Sequence, residues 1–245
     1  FLSYKIIFNL FDALILISNA LNDFFKKILL KSKEILIVPI VVDPTRFEDR
    51  SIKQDKKDIV FIGNILGEKD GTDLLVKAFK KIHDKIPEQN LILIGDISDQ
   101  KKFEEFKKRY IDKDIKNKIR FTGFVHRDSV SNYLNNASVL VLARPANKQS
   151  EAGLPTKLGE YLATNNPVVC TNVGDINLYL KDGFNALLAE PNNVDSFCEK
   201  LLFVFNNPQK AVEIGNEGGK LVKKTFNYKY QSKRIADFIK DLKKH

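Results

Sequence analysis

Eight short apolar runs recur along this chain, at residues 13–18, 35–40, 59–63, 91–95, 119–122, 138–143, 167–171 and 186–188. They are continuous rather than alternating, so each implies a strand buried on both faces. Most gaps between them hold helical spacing instead. Leu74, Leu75, Ala78, Phe79 and Ile82 fall on one stripe, as do Val130, Tyr133, Leu134 and Ala137. Such alternation predicts an α/β fold, a doubly wound parallel sheet of Rossmann-like type with helices on both faces. A sheet of this kind binds ligands in a crevice outside the carboxyl ends of its strands. Several runs end in glycine or polar punctuation, at Gly63-Asn64, Gly95-Asp96, Gly123-Phe124, Arg144-Pro145 and Asn172-Val173-Gly174. Any one of these is ordinary turn chemistry; together they predict one nucleotide-type crevice.

The stretch VPIVVDPTRF, residues 38–47, places two prolines between an early apolar run and the long β/α series. It reads as an interdomain linker. Residues 1–43 are then the remnant of an N-terminal domain with its linker, and 44–228 form the ligand-binding domain. Residues 229–245 are a C-terminal helix, with Ile235, Phe238, Ile239 and Leu242 on one stripe. The chain has 245 residues, no Met, and begins at Phe1, so a piece of a longer protein is expected.

Composition narrows the function classes. Cys170 and Cys198 have neither metal-type nor redox-type spacing and read as small core residues. His83, His126 and His245 show no paired spacing, so no metal site is expected. The most apolar stretch, 13–21, is too short to span a bilayer. A soluble cytoplasmic protein is expected, with the inner membrane surface as an open alternative. Lys+Arg 40 against Asp+Glu 31 gives a net charge of +9. That fits an anionic partner such as nucleotide phosphate or anionic lipid, and equally a lysine-rich solvated surface. No nucleic-acid partner is expected. NDFFKKILLKSK, residues 22–33, mixes aromatics and lysines as a membrane-surface helix does. A packed helix with a solvated basic face explains it as well.

GLPTKLGEYLATNNPVV, residues 153–169, carries the most chemical information. Pro155 suits the first turn of a helix and Thr156 suits its cap. The free N–H groups there, preceded by Gly153 and Leu154, make an anion site fit for a diphosphate. Lys157, Glu160 and Tyr161 follow at helical spacing on one side, opposite much of the leucine stripe. Glu160 could accept hydrogen bonds from the vicinal hydroxyls of a ribose; an acid stabilised by the helix dipole explains the same residue. Two weaker signals read as structural. DKD at 112–114 sits in a lysine-rich loop, and GNEGGK at 215–220 lacks the first glycine and the Ser/Thr of a phosphate loop.

The segment GLPTKLGEYLATNNPVVCTNVG resembles the donor-site region of retaining GT-B glycosyltransferases, family 4. The resemblance continues in order through VPIVVDPTRF, FIGNILGEKDGTDLLVKAF, FTGFVHRDSVSNYLNNASVLVLA and LKDGFNALLAEPNNVDSF, covering about residues 35–242. It implies the C-terminal, donor-binding half of a GT-B fold, with a remnant of the N-terminal acceptor domain. The implied reaction moves a hexose from a nucleotide-diphosphate sugar to an acceptor hydroxyl with retention, and the setting is cell-surface polysaccharide biosynthesis. The implied acceptor is a glycan or lipid-linked sugar, and no cofactor or metal is needed.

Carried over by residue, Lys69 contacts the diphosphate, and Glu160 the ribose. The Phe124-Val125 backbone borders the base, and Glu151 faces the sugar. Gly63, Asn64, Gly153, Leu154, Thr156 and Lys157 complete the expected site. The chain departs from the family pattern twice. Asn64 stands where an Arg is common, and eight residues rather than seven separate Glu151 from Glu160. Arg144 is the residue expected to replace the lost Arg charge. A non-catalytic nucleotide-sugar-binding subunit, completed by a missing N-terminal domain or partner chain, is the alternative.

Overall fold

The computed structural model describes residues 2–30, 33–48 and 58–243. Lys31, Ser32, residues 49–57 and His245, which fall within the stretches discussed above, lie outside the described residues.

The chain opens with α1 (Leu2–Asn9), β1 (Ala13–Leu16), α2 (Asn19–Ile28) and β2 (Glu34–Ile37). β1 and β2 run parallel, from Ala13 opposite Glu34 to Leu16 opposite Ile37, and form a two-stranded sheet of their own. Leu14, Leu16, Phe25 and Ile28 make a separate small core beneath it. This unit is pinned to the rest by polar contacts. The Ser18 hydroxyl donates to the Ala152 carbonyl at 2.6 Å, and the nearly buried Asp175 carboxylate accepts from the Asn19 N–H at 2.6 Å.

After a 3-10 turn at Pro44–Phe47 the main series follows. Its elements are β3 (Asp58–Ile62), α3 (Thr72–Ile82), β4 (Asn90–Ile94), α4 (Gln100–Tyr110), β5 (Ile119–Gly123), α5 (Arg127–Asn135), β6 (Ala137–Leu142) and α6 (Lys148–Glu151). Then come α7 (Thr156–Ala163), β7 (Val168–Thr171), α8 (Ile176–Tyr179), β8 (Leu187–Ala189), α9 (Val194–Asn206), α10 (Pro208–Leu221) and α11 (Tyr228–Leu242). The six strands are all parallel, in the order β5-β4-β3-β6-β7-β8. Connections run outward from β3 to β5 and then return to β6 on its other side. This reversal is a topological switch point, where a crevice opens at the strand ends. Ile59, Val60 and Phe61 of β3 and Val139, Leu140, Val141 and Leu142 of β6 are all buried, as strands covered on both faces must be. Burial pushes the Cys170 thiol up to about 12, which suits an inert core residue.

The 38–47 stretch is no loose tether. Val42 pairs with Asn227: its N–H donates to the Phe226 carbonyl at 2.8 Å, and Tyr228 N–H donates back at 3.1 Å. Phe47 is fully buried. The stripe foreseen on α11 is only half covered, with Ile239 45% exposed, while Gln231 is the buried side chain of that helix.

The glycines of GNEGGK lie in regular helix, and the irregularity comes after them, as a π-helical turn at Val222–Phe226. They are there for contact. A Cβ on Gly215 would lie 2.8 Å from the Asn166 carbonyl carbon and 2.9 Å from Pro167 N, and one on Gly218 would lie 2.7 Å from Leu162. α10 therefore presses against α7 and the turn that follows it. Gly215→Ala gains about 1 kcal/mol of helix propensity but forces backbone apart. It is expected to lower unfolding free energy by roughly 1–3 kcal/mol in urea titration; net stabilisation would contradict this packing.

Candidate functional site

The switch-point crevice is built from the turn after β3, the end of β6 and the start of α7. Its centre is a residue not singled out in the sequence. Asp70 closes a 3-10 turn at Glu68–Asp70, and its carboxylate is 3% exposed as a residue. It accepts the Asn64 N–H at 2.9 Å and forms an ion pair with Lys157 of α7. Thr72 Oγ1 donates to the Asn64 carbonyl at 3.3 Å, closing the turn on itself. Gly71 leaves the turn in a left-handed conformation, φ +67°, while backbone of Ala143 lies against its Cα. Only glycine meets both conditions.

Gly63 is needed for a different reason. A Cβ there would lie 2.5 Å from Asp70 Oδ2, 2.5 Å from Lys157 Nζ and 2.6 Å from the buried Phe61 ring. The missing side chain is the space in which the ion pair sits. Lys157 also lies 5.5 Å from the Phe61 ring centroid, so its ammonium is packed between a carboxylate and an aromatic face.

Arg144, at the end of β6, is 3% exposed. Its Nη1 donates to the Gly153 carbonyl at 3.3 Å, its own carbonyl accepts from Thr171 Oγ1 at 2.6 Å, and its Nε has no partner among the described residues. Burial lowers its pKa, and the negative charge of Asp70 opposes the shift. Arg144 thus underlies the 153–155 turn and acts on the crevice through that turn and through Asp70. It is too enclosed to serve as an open-surface cation.

α7 corrects several expectations. Pro155 occupies the cap position and Thr156 is the first helical residue, so Thr156 does not cap the helix. Thr156 is exposed and Leu154 is buried; in the first turn the Leu158 N–H donates to the Pro155 carbonyl at 3.0 Å, which leaves the Thr156 and Lys157 N–H groups without an intrahelical partner. Tyr161 does not share an open side with Lys157 and Glu160. It is fully buried, and its hydroxyl accepts the Ile62 N–H at 2.8 Å. Its apolar ring belongs to the leucine stripe's core, and burial pushes its phenol well above the ordinary range. Gly159 makes room for side chains rather than backbone: a Cβ would lie 3.3 Å from Ile40 and 3.5 Å from Val42.

Glu160, one turn along α7, is about one-third exposed and pairs with Arg46 of the linker turn at 3.1 Å. Lys69 and Asn64 are exposed at the crevice edge, and Lys69 lies close enough to Lys157 to help depress its pKa. Glu151 is exposed at the end of α6, where Gly174 packs against the Ser150 and Glu151 carbonyls. Gly95 and Gly63 end neighbouring strands, and the Gly63 N–H donates to the Ile94 carbonyl at 2.9 Å. Gly123 turns with φ +70° into Phe124, which is 86% exposed, while Val125 packs on the core.

A cleft of about 780 Å³ adjoins this crevice, lined by the turn after β3 (Gly67, Glu68, Gly71), the segment after β6 (Ala143, Pro145), α3, α4 and the start of α9. It contains Pro145 of the expected strand-end breaks but none of the candidate donor-contact residues, and two of its cations are already engaged, Lys77 with Asp73 and Lys102 with Asp99. Asp112 of the DKD stretch pairs with Lys80 and caps the N–H groups of Asp114 and Ile115, as a turn acid does. Among the described residues no helix is long and apolar enough to cross a membrane.

The doubly wound six-stranded parallel sheet matches that of solved GT-B glycosyltransferase structures. The chain belongs to the Glycosyl transferases group 1 family, which it matches over residues 42–221. An uncharacterized glycosyltransferase of Methanocaldococcus jannaschii is 33% identical over 165 residues, covering 67% of this chain and 43% of that protein. The 2-deoxystreptamine N-acetyl-D-glucosaminyltransferase of Niallia circulans is 29% identical over 156 residues, covering 64% and 38%. The chain thus spans less than half the length of these relatives. The structure of Anabaena HepE in complex with UDP and glucose shares the fold with a TM-score of 0.80 at 16% identity, covering 95% of this chain and 64% of that one.

Lys157 yields a direct test of the site's electrostatics. Burial lowers its pKa below the 10.5 of a free lysine, the bond and charge of Asp70 oppose this, and Lys69 and Arg144 add to it. Asp70→Asn removes the opposing influence, so Lys157 is expected to lose its proton at a lower pH than in the wild type. NMR titration of the lysine side chains would show this, and an unchanged or raised pKa would contradict the pairing.

Proposed function

We propose that this chain binds the donor in a glycosyltransferase that moves a hexose from a nucleotide-diphosphate sugar to an acceptor hydroxyl with retention of configuration. One observation carries the reading: a lysine held at a helix start in the switch-point crevice, with a carboxylate one turn further along. The rise of about 5–6 Å per turn is near the span from a diphosphate to the ribose hydroxyls. Lys157, Lys69 and the N–H groups of Thr156 and Lys157 then face the diphosphate. As the donor's glycosidic bond breaks, negative charge grows on the departing nucleotide, and these groups stabilise it in place. Glu160 accepts from the ribose hydroxyls, Glu151 faces the sugar, and the exposed turn at Phe124 borders the base. The UDP and glucose held by HepE, and the N-acetylglucosaminyl transfer named for the Niallia circulans relative, support this choice of donor class.

The acceptor, a glycan or lipid-linked sugar, is assigned to polypeptide that covers the N-terminal unit. α1, β1 and the segment between them leave Ile6, Ile7, Leu10, Phe11 and Ile15 between 46% and 78% exposed. A group of exposed large apolar side chains on one small unit supports an interface there. The proposed setting is the cytoplasm, at or near the inner membrane surface, in polysaccharide assembly. Asn64, in the place of the family's Arg, favours a second reading, a binding subunit that completes an active site only with a partner chain. Thermal-shift measurements with UDP-, GDP- and ADP-sugars test the donor class, since a ligand of the folded state raises the melting temperature by mass action.

Glu160→Gln is expected to weaken binding of the preferred nucleoside diphosphate by about 1.5–3 kcal/mol, the range for hydrogen bonds to a charged group. The 2′,3′-dideoxy analogue should be nearly indifferent to it. Calorimetry on both ligands checks this, and equal losses would leave Glu160 as a helix-dipole acid.

A further inference from the structure

We propose that Arg46, on the linker turn, is a positioning residue that holds Glu160 in the orientation needed to receive the ribose hydroxyls. The inference rests on the nucleotide-binding reading of α7 given above.

Arg46 and Glu160 are 114 positions apart, and only the fold brings them together. The guanidinium Nη1 donates to one carboxylate oxygen, Oε1, at 3.1 Å. The other oxygen has no protein partner among the described residues. A vicinal diol donates two hydrogen bonds, and a carboxylate with one oxygen clamped still has acceptor positions for both. Left alone, a one-third-exposed glutamate would sample several rotamers and lose that freedom only when the nucleotide arrives. Fixed by Arg46, it meets the ribose already aligned.

Arg46 is itself held firmly. Asp43 caps the turn, accepting from the Thr45 N–H at 3.1 Å and from its hydroxyl at 2.7 Å. Phe47, the next residue, is fully buried, and the Arg46 guanidinium lies 5.3 Å from its ring centroid. Val42, bridged to Asn227, anchors the segment that leads into the turn. Ile40 and Val42 pack into the space left by Gly159, the residue directly before Glu160. The linker therefore touches α7 both beside Glu160 and at its carboxylate.

The test compares wild type with Arg46→Gln, Arg46→Lys, Glu160→Gln and the Arg46→Gln/Glu160→Gln pair. Each full chain is titrated with whichever of UDP, GDP and ADP the wild type binds most tightly, and with that nucleotide's 2′,3′-dideoxy form. Arg46→Gln is expected to raise Kd for the ribose form roughly three- to tenfold, the factor an immobilised side chain is worth in binding. The dideoxy form should be unchanged. Arg46→Lys should recover part of the loss, and Arg46→Gln should add nothing once Glu160 is Gln. Equal loss for both ligands would make Arg46 merely structural, and tighter ribose binding would make it a competitor for Glu160. No change in either ligand would also overturn the proposal, provided Glu160→Gln still weakens the ribose form. If Glu160→Gln too is without effect, it is the nucleotide-binding reading of α7 that falls.

Discussion

Taking a carboxylate out of water costs several kcal/mol unless it is paired and hydrogen-bonded, and Asp70 is 3% exposed. Its solution determines how the parts of the crevice meet. The Asn64 N–H satisfies one demand and pulls the turn after β3 closed. Lys157 satisfies the other and ties that turn to the opening of α7. Gly63 and Gly71 are glycine because the pair and the strand ends leave no room for a Cβ. Arg144, below, braces the turn that leads into α7 through the Gly153 carbonyl. Two cations and a helix start are thus gathered around one buried anion.

α7 is the common support of these features. It is short, so its position depends on what presses on it. Glycines of α10 pack against Leu162 and the 165–167 turn, Tyr161 hydrogen-bonds the end of β3, and the linker residues Ile40 and Val42 fill the groove at Gly159. Each contact fixes the helix from a different side. Lys157 is left paired with Asp70 and Glu160 with Arg46, with one Glu160 oxygen and the Thr156 and Lys157 N–H groups uncommitted among the described residues.

The main sheet could be read from sequence because its cause is local, short continuous apolar runs separated by helical stripes, whereas β1 and β2, read the same way, stay partly exposed, with Ile15 46% exposed. Gly63-Asn64, Gly123-Phe124 and Arg144-Pro145 were visible for the same reason, as breaks at strand ends. The missed residues lacked a local signal. Asp70 precedes Gly71, and an Asp-Gly pair reads as turn chemistry, which it also is; only the fold shows its carboxylate turned inward toward Lys157. Arg46 looked like part of a linker, and nothing near it in sequence names Glu160. Tyr161 was misassigned because helical spacing alone cannot separate an open side from a buried one when an aromatic residue borders the leucine stripe. Thr156 failed as a cap because Pro155 already stands at that position, one residue earlier than sequence preference suggested.

The most direct measurement is a crystal structure of this chain with UDP bound. The diphosphate is expected within hydrogen-bonding distance of Lys157 Nζ and the first N–H groups of α7, with the ribose hydroxyls on Glu160. A diphosphate seated instead in the cleft between α3 and α4, with the Asp70–Lys157 pair untouched and Glu160 facing solvent, would contradict the assignment of the site.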